Sequence, residues 1–288
     1  MTNHATDNIQ IIEESLEFVW NDKLNNIFND KKLIKKVIII AFDKSKLYVF
    51  SKIPLDLKHT KKLTLNYYLY EIKHKIIFSD KHLSAWYCGL IRSDILNYLP
   101  RELIKENLIS RPIICGSTYF EFIKKQKINQ KKMTYNNPYT TYESYIATII
   151  HEFGHVIYES YYNTQFKKLD DNIKFIKNTL LLLNDKRVDL NNVKLDFPKH
   201  NLCSETFAFC TEHYASSLFL NDHKKNLDKY LKKYIKKSLE TEKKLNMYYH
   251  LSNLILDNHL GAATYGVQIL KKYGSSWPEF FKNQKLTK

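Results

Sequence analysis

The sequence predicts an α+β protein: a small mixed sheet with helices in its first part, then a mostly helical second part. Three observations carry this. Strand-like runs rich in Ile, Val, Tyr and Phe are confined to the first half. Beyond about residue 140 the apolar residues recur at helical spacing. The chain also holds only 6 Gly and 6 Pro, too few for a turn-rich all-β fold or a Gly-rich phosphate-binding loop. With 288 residues, 44% of them hydrophobic, there is enough chain for one large domain or two lobes around a sizeable core.

The elements follow in order. "NIQIIEESLEFVWNDKLNNIF" has helical spacing through Ile12, Leu16, Val19 and Leu24. "KKVIIIAFDKSKLYVFSK" reads as two strands joined by a polar turn at Asp43–Lys46. "NYYLYEIKHKIIF" and "SAWYCGLI" are further strand candidates, and "RSDILNYLPRELIKENL" returns to helix. "RPIICGSTYFEFI" reads as another strand. The polar stretch 125–140, with "NNP" at its centre, marks the expected boundary between lobes, 1–135 and 136–288. "NLDKYLKKYIKKSLETEKKL" then sets Leu227, Tyr230, Leu231, Tyr234, Ile235 and Leu239 along one helical face, a surface helix turned to the core.

The formal net charge is +15, yet arginine occurs only at Arg92, Arg101, Arg111 and Arg187. Arginine is the usual reader of base edges and phosphate forks. The lysines are scattered rather than striped, so a solvated basic surface is expected and no nucleic-acid partner. Cys88, Cys115, Cys203 and Cys210 form no C-x-x-C pair, which leaves buried thiols rather than a zinc ribbon or a redox motif. The N-terminus is polar and acidic without a secretory core, and "VIIIAF" and "LLLL" are far too short to span a bilayer. A cytoplasmic protein without a membrane partner is the expectation.

The chemistry concentrates in "SYIATIIHEFGHVIYESYYN", residues 144–163. At 100° per residue, Ile149, Ile150, Phe153, Val156 and Ile157 share one direction, and His151, Glu152, His155 and Glu159 fall opposite. Residues at i and i+4 lie roughly 5–6 Å apart at Cβ, so two imidazoles can reach one metal ion. Glu152, beside His151, points to one side. It can hold a metal-activated water and take its proton. Gly154 weakens a helix interior, which points to close approach of a neighbour. A catalytic zinc usually takes a third protein ligand. No histidine follows at the metzincin spacing; the candidate segment is "NLCSETFAFCTEHYASSLFL", where helical period aligns Glu205, Ala208, Phe209 and Glu212.

"HEFGH" followed some 50 residues later by "ETFAFC" resembles the gluzincins, zincin peptidases whose third ligand is a glutamate on a later helix. "HEFGH … E-x-F-A" is particularly similar to the motif pair of the lethal-factor-like group. The resemblance implies a zincin-like α+β fold with the metal in a cleft between two lobes. It implies one zinc ion held by His151, His155 and Glu205, Glu152 as general base, and a peptide or protein substrate. It covers the two motif helices alone. Phe209 stands where many gluzincins have an acidic partner for a ligand histidine; Glu159 and Glu212 are the candidates to replace it, and each reads equally as a solvated surface charge. The tyrosine that precedes the glutamate helix in the lethal-factor-like group is missing from "DFPKHN". Glu212 and His200 are rival third ligands. "DNHLGAATYGVQILKKYG" resembles the C-terminal stretch of the thimet-oligopeptidase family, which implies Tyr265 as an oxyanion donor, with His259 nearby. The same residues also read as a helix whose Gly261, Ala262, Ala263 and Gly266 allow tight packing. Zincins align substrate along an edge strand, and "IICGSTYFEF" is the candidate for it.

Two other readings compete. Peptide deformylases pair H-E-x-x-H with an upstream cysteine ligand, here Cys115, although their Gly-rich motif is absent. A non-catalytic zinc-stabilised binding protein would keep the ligands, but it would not need Glu152.

Overall fold

A computed structural model describes residues 4–58, 61–73, 86–88, 111–131, 137–162, 201–245 and 258–283. The chain divides into two compact units, residues 1–156 and 157–288; the boundary expected at 135/136 lies inside the first.

In the first unit, α1 (His4–Trp20) buries Ile12, Leu16 and Val19 at the spacing read from sequence, and Leu24 is buried in the short 3₁₀ turn after it. Helix α2 (Lys31–Lys36) starts where the Asp30 carboxylate accepts a hydrogen bond from Leu33 N–H at 2.9 Å. Strands β1 (Ile38–Phe42) and β2 (Lys46–Ser51) form the expected hairpin. Its turn is closed by Asp43, whose Oδ1 accepts from Ser45 N–H at 2.7 Å and Lys46 N–H at 2.8 Å.

Strands β3 (Lys61–Lys62), β4 (Tyr68–Lys73), β5 (Trp86–Cys88) and β6 (Ile113–Ser117) complete a six-stranded mixed sheet of order β3-β4-β2-β1-β6-β5. Only β1 and β6 pair in parallel. Every residue of β1 is buried, which explains its unbroken apolar run: a central strand covered on both faces does not alternate. On one face Ile38, Ile40, Phe42, Leu47, Val49, Tyr70, Ile113 and Cys115 form a cluster capped by Leu55 and Leu57. On the other face Gly116 lies opposite Trp86.

The expectation that "IICGSTYFEF" is an edge strand is corrected. β6 sits between β1 and β5, and the edges are β3 and β5. The strand also stops at Ser117. Helix α3 (Tyr119–Gln130) follows at once: Phe122 N–H donates to Thr118 O at 2.9 Å, and Phe122 and Ile123 are buried. Helix α4 (Tyr142–Tyr162) carries the H-E-x-x-H motif. The helix read from "RSDILNYLPRELIKENL" lies outside the described residues.

The second unit is helical in its described residues: α5 (Asn201–Phe219), α6 (Asn221–Leu245), α7 (Asn258–Tyr273) and α8 (Trp277–Asn283). Phe209, Leu227, Leu231 and Ala263 form a core cluster that joins α5, α6 and α7. Phe207 packs edge-on to Trp277 and Phe281, with centroids 4.8 and 5.0 Å away, and so ties α8 to α5. The fold is therefore α+β, a mixed sheet with helices. No helix among the described residues is long and apolar enough to cross a membrane.

Candidate metal centre

The start of α4 is set by a reciprocal cap. Ser144 N–H donates to Thr141 Oγ1 at 3.2 Å, and Thr141 N–H donates to Ser144 Oγ at 2.9 Å. One turn on, Tyr145 is fully buried and its hydroxyl donates to Ser117 O at 2.9 Å, which pins the helix to β6. Its ring meets Trp86, Tyr119 and Phe122 edge-on at 5.4–5.8 Å. Burial raises the Tyr145 pKa well above the usual phenol value, so the hydroxyl stays a donor. Trp86 covers Gly116 so closely that a Cβ added there would lie 2.4 Å from the indole.

Further along α4 the apolar flank behaves as the sequence implies. Ile149, Ile150, Phe153, Val156 and Ile157 are all buried, and Phe153 meets Phe28 edge-on. Gly154 is buried. His151 and His155 are half-buried on the other flank, with ring centroids 4.9 Å apart and planes at 72°. Glu152 is buried, at 6% exposure, and Glu159 is half-buried.

Within the second unit, the last turns of α4 pack on α5 through Tyr158 and Phe207, at 5.8 Å between centroids. Glu205 is one of the residues that α5 presents. One ligand atom each from His151, His155 and Glu205 lies within 4.8 Å of the others, and all three residues are half-buried. Two imidazoles and a carboxylate gathered so tightly could hold a metal ion.

Of the rival third ligands, Glu212 is otherwise engaged. The Glu212 carboxylate lies 2.8 Å from His223 Nε2 in a pair that is almost wholly buried. Phe209, in place of an acidic residue, belongs to the core cluster, and Gly266 of α7 presses against it: a Cβ at Gly266 would lie 2.6 Å from its ring. Ala262 and Ala263 are buried as well, so three of the four small residues of "GAATYG" are in close packing. Cys210, in the same layer, is pushed up in pKa by burial. Cys115 is 3% exposed and faces the sheet cluster away from Gly116, Trp86 and Tyr145. It thus points away from the face on which α4 packs, and it is not in the group that could hold a metal ion. Tyr265 and His259 lie on α7, but their side chains are outside the described part, as is His200 altogether.

Sequence reasoning missed the Glu212–His223 pair and its neighbour, in which the imidazole of His213 lies 2.8 Å from the Asp228 carboxylate. Both join α5 to α6 across the tight turn at Leu220, a pairing that no periodicity within one helix reveals. Burial lowers the pKa of His213, against the pull of Asp228.

No protein-family model, curated protein or solved structure matches the chain.

Proposed function

We propose that the protein is a zinc-dependent metallopeptidase of the gluzincin type, with the zinc held by His151, His155 and Glu205. One observation carries the reading: those three side chains bring ligand atoms within 4.8 Å of one another. Donors around a tetrahedral zinc lie roughly 3.3 Å apart, given bonds of about 2.0–2.1 Å. Small side-chain rotations close that gap, and two imidazoles with one carboxylate match the donor set of catalytic zinc. Bound there, zinc would acidify a water molecule and polarise a peptide carbonyl.

The chain's own residues do the rest. Glu152 follows His151 on α4 and is not needed as a ligand. Its carboxylate is the proton acceptor for the attacking water and the donor to the leaving amine. Its burial, at 6% exposure, shields that proton from bulk solvent. The cleft between lobes that the zincin resemblance implies, and the oxyanion role of Tyr265, belong to this proposal.

The test is metal content together with activity. Purified protein is expected to hold one zinc per chain, and Glu205→Ala to lose it. Glu152→Gln is expected to keep the zinc and to lose peptide hydrolysis by about 10²–10⁴-fold. Full activity in Glu152→Gln, or full zinc in Glu205→Ala, rejects the assignment.

A further inference from the structure

Outside the candidate metal-binding group, two lysines gather about one indole in the first unit, and a third lies near one of them. Lys52, just after β2, places its Nζ 3.7 Å from the centre of the Trp20 ring. Lys31, at the start of α2, places its Nζ 5.1 Å from the same ring. Lys52 also lies over Tyr67, at 5.2 Å. The ring is held in place, because Trp20 Nε1–H donates to the hydroxyl of the buried Tyr67 at 3.1 Å. Lys35, one turn beyond Lys31 on α2, is close enough to repel Lys52.

The ammonium of Lys31 is sealed from solvent and meets no hydrogen-bond acceptor among the described residues. An ammonium taken out of water without an acceptor is costly, and an aromatic face returns only part of the loss. Asp22 attracts Lys31 through space but forms no salt bridge with it among the described residues. Burial lowers the pKa of both Lys31 and Lys52, and for Lys52 the repulsion of Lys35 and Lys31 adds to it. Two positive charges are thus set about one ring, with a third close enough to Lys52 to repel it.

We propose that Lys31 and Lys52, set about Trp20, bind a phosphate-type oxyanion, inorganic or carried as a monoester on a small molecule, with Lys35 adding charge from beside Lys52. The chemistry favours phosphate over a carboxylate. Separate ammonium groups act as point charges and suit a compact, multiply charged anion approached from several sides. A carboxylate carries one charge and is better matched by the planar fork of arginine. The site shares no residue with the metal-binding group.

Trp20 supplies a built-in reporter. The protein is titrated with inorganic phosphate, and separately with glycerol 2-phosphate, at an ionic strength fixed with chloride. Binding is followed by tryptophan emission and by thermal melting. A saturable response at one anion per chain, with a rise in melting temperature, is expected. Trp20→Phe should remove the emission change but keep a melting shift. Lys31→Met and Lys52→Met should each weaken binding by at least about tenfold. Lys31→Met should also melt no lower than the parent when no anion is present, since it removes a buried charge without an acceptor. Lys35 is exposed, so Lys35→Met tests the charge without disturbing the fold and should weaken binding less. Tighter binding of the monoester identifies an organic phosphate as the ligand, and tighter binding of free phosphate identifies the inorganic ion. A linear, unsaturable response to both anions, or unchanged affinity in Lys31→Met and Lys52→Met, overturns the proposal.

Discussion

Gly116 shows how tightly single positions are specified. It lies opposite Trp86 across the β5–β6 pair, and the indole occupies the space a side chain would take. Gly116→Ala must push Trp86 against Tyr145, which is fully buried. A loss of about 1–3 kcal/mol in urea denaturation is expected, the usual cost of overpacking. His213 makes a different kind of prediction. Its folded-state pKa is lowered, first by burial, so on acidification the unfolded chain takes up the proton before the folded one does. Stability is therefore fully present above the ordinary imidazole value of 6.5 and falls as pH drops through it. For Asp228, burial alone would raise the carboxyl, but hydrogen bonds from Lys224 and His213 outweigh it and hold it below its usual value, which extends the loss to lower pH. Denaturation midpoints between about pH 7 and pH 5 should decline in the parent and decline less in His213→Gln.

At the scale of elements, α4 was legible because two periodic signals agree. Its aliphatic flank and its His–Glu flank fall on opposite sides of a 3.6-residue period, and the burial of Ile149, Ile150, Phe153, Val156 and Ile157 follows. Its cap was legible in principle, since Thr141 and Ser144 have the spacing of a capping box with serine in the third position. Thr141→Ala should cost about 0.5–2 kcal/mol, measured by chemical denaturation, and should leave the fold intact. The misreading at "IICGSTYFEF" has a physical cause. Tyr and Phe have high β propensity, yet Phe122 and Ile123 gain more by burial on one side of a helix. Propensity is the weaker term when packing decides. Beyond the β1–β2 hairpin, strand order was not legible. That β6 pairs with β1 rather than lying at an edge depends on a crossover between distant segments.

For the molecule as a whole, the fold class could be read from the sequence because the strand-like runs and the helical runs are segregated. The candidate metal-binding group could be read only in part. His151 and His155 share one helix, so spacing alone aligns them. Glu205 comes from α5, and choosing it over Glu212 required a resemblance. Their surroundings differ: the Glu212 carboxylate lies against His223, and a Glu205 oxygen lies within 4.8 Å of ligand atoms of both histidines. If a metal ion is bound there, its removal should be felt globally. A ligand that binds only the folded chain adds RT ln(1 + [L]/Kd) to stability, about 4 kcal/mol at a thousandfold excess over Kd. Treatment with a chelator should lower the melting temperature of the parent protein and leave that of Glu205→Ala unchanged.

One rod, α4, serves as both girder and instrument mount. Phe153, which falls between the two histidines in sequence, is buried on the opposite flank against Phe28. Phe153→Ala would therefore resemble damage to the chemistry in any screen that scores turnover alone. Stoichiometry counted per correctly folded molecule would separate a lesion of scaffolding from a lesion of the ligands.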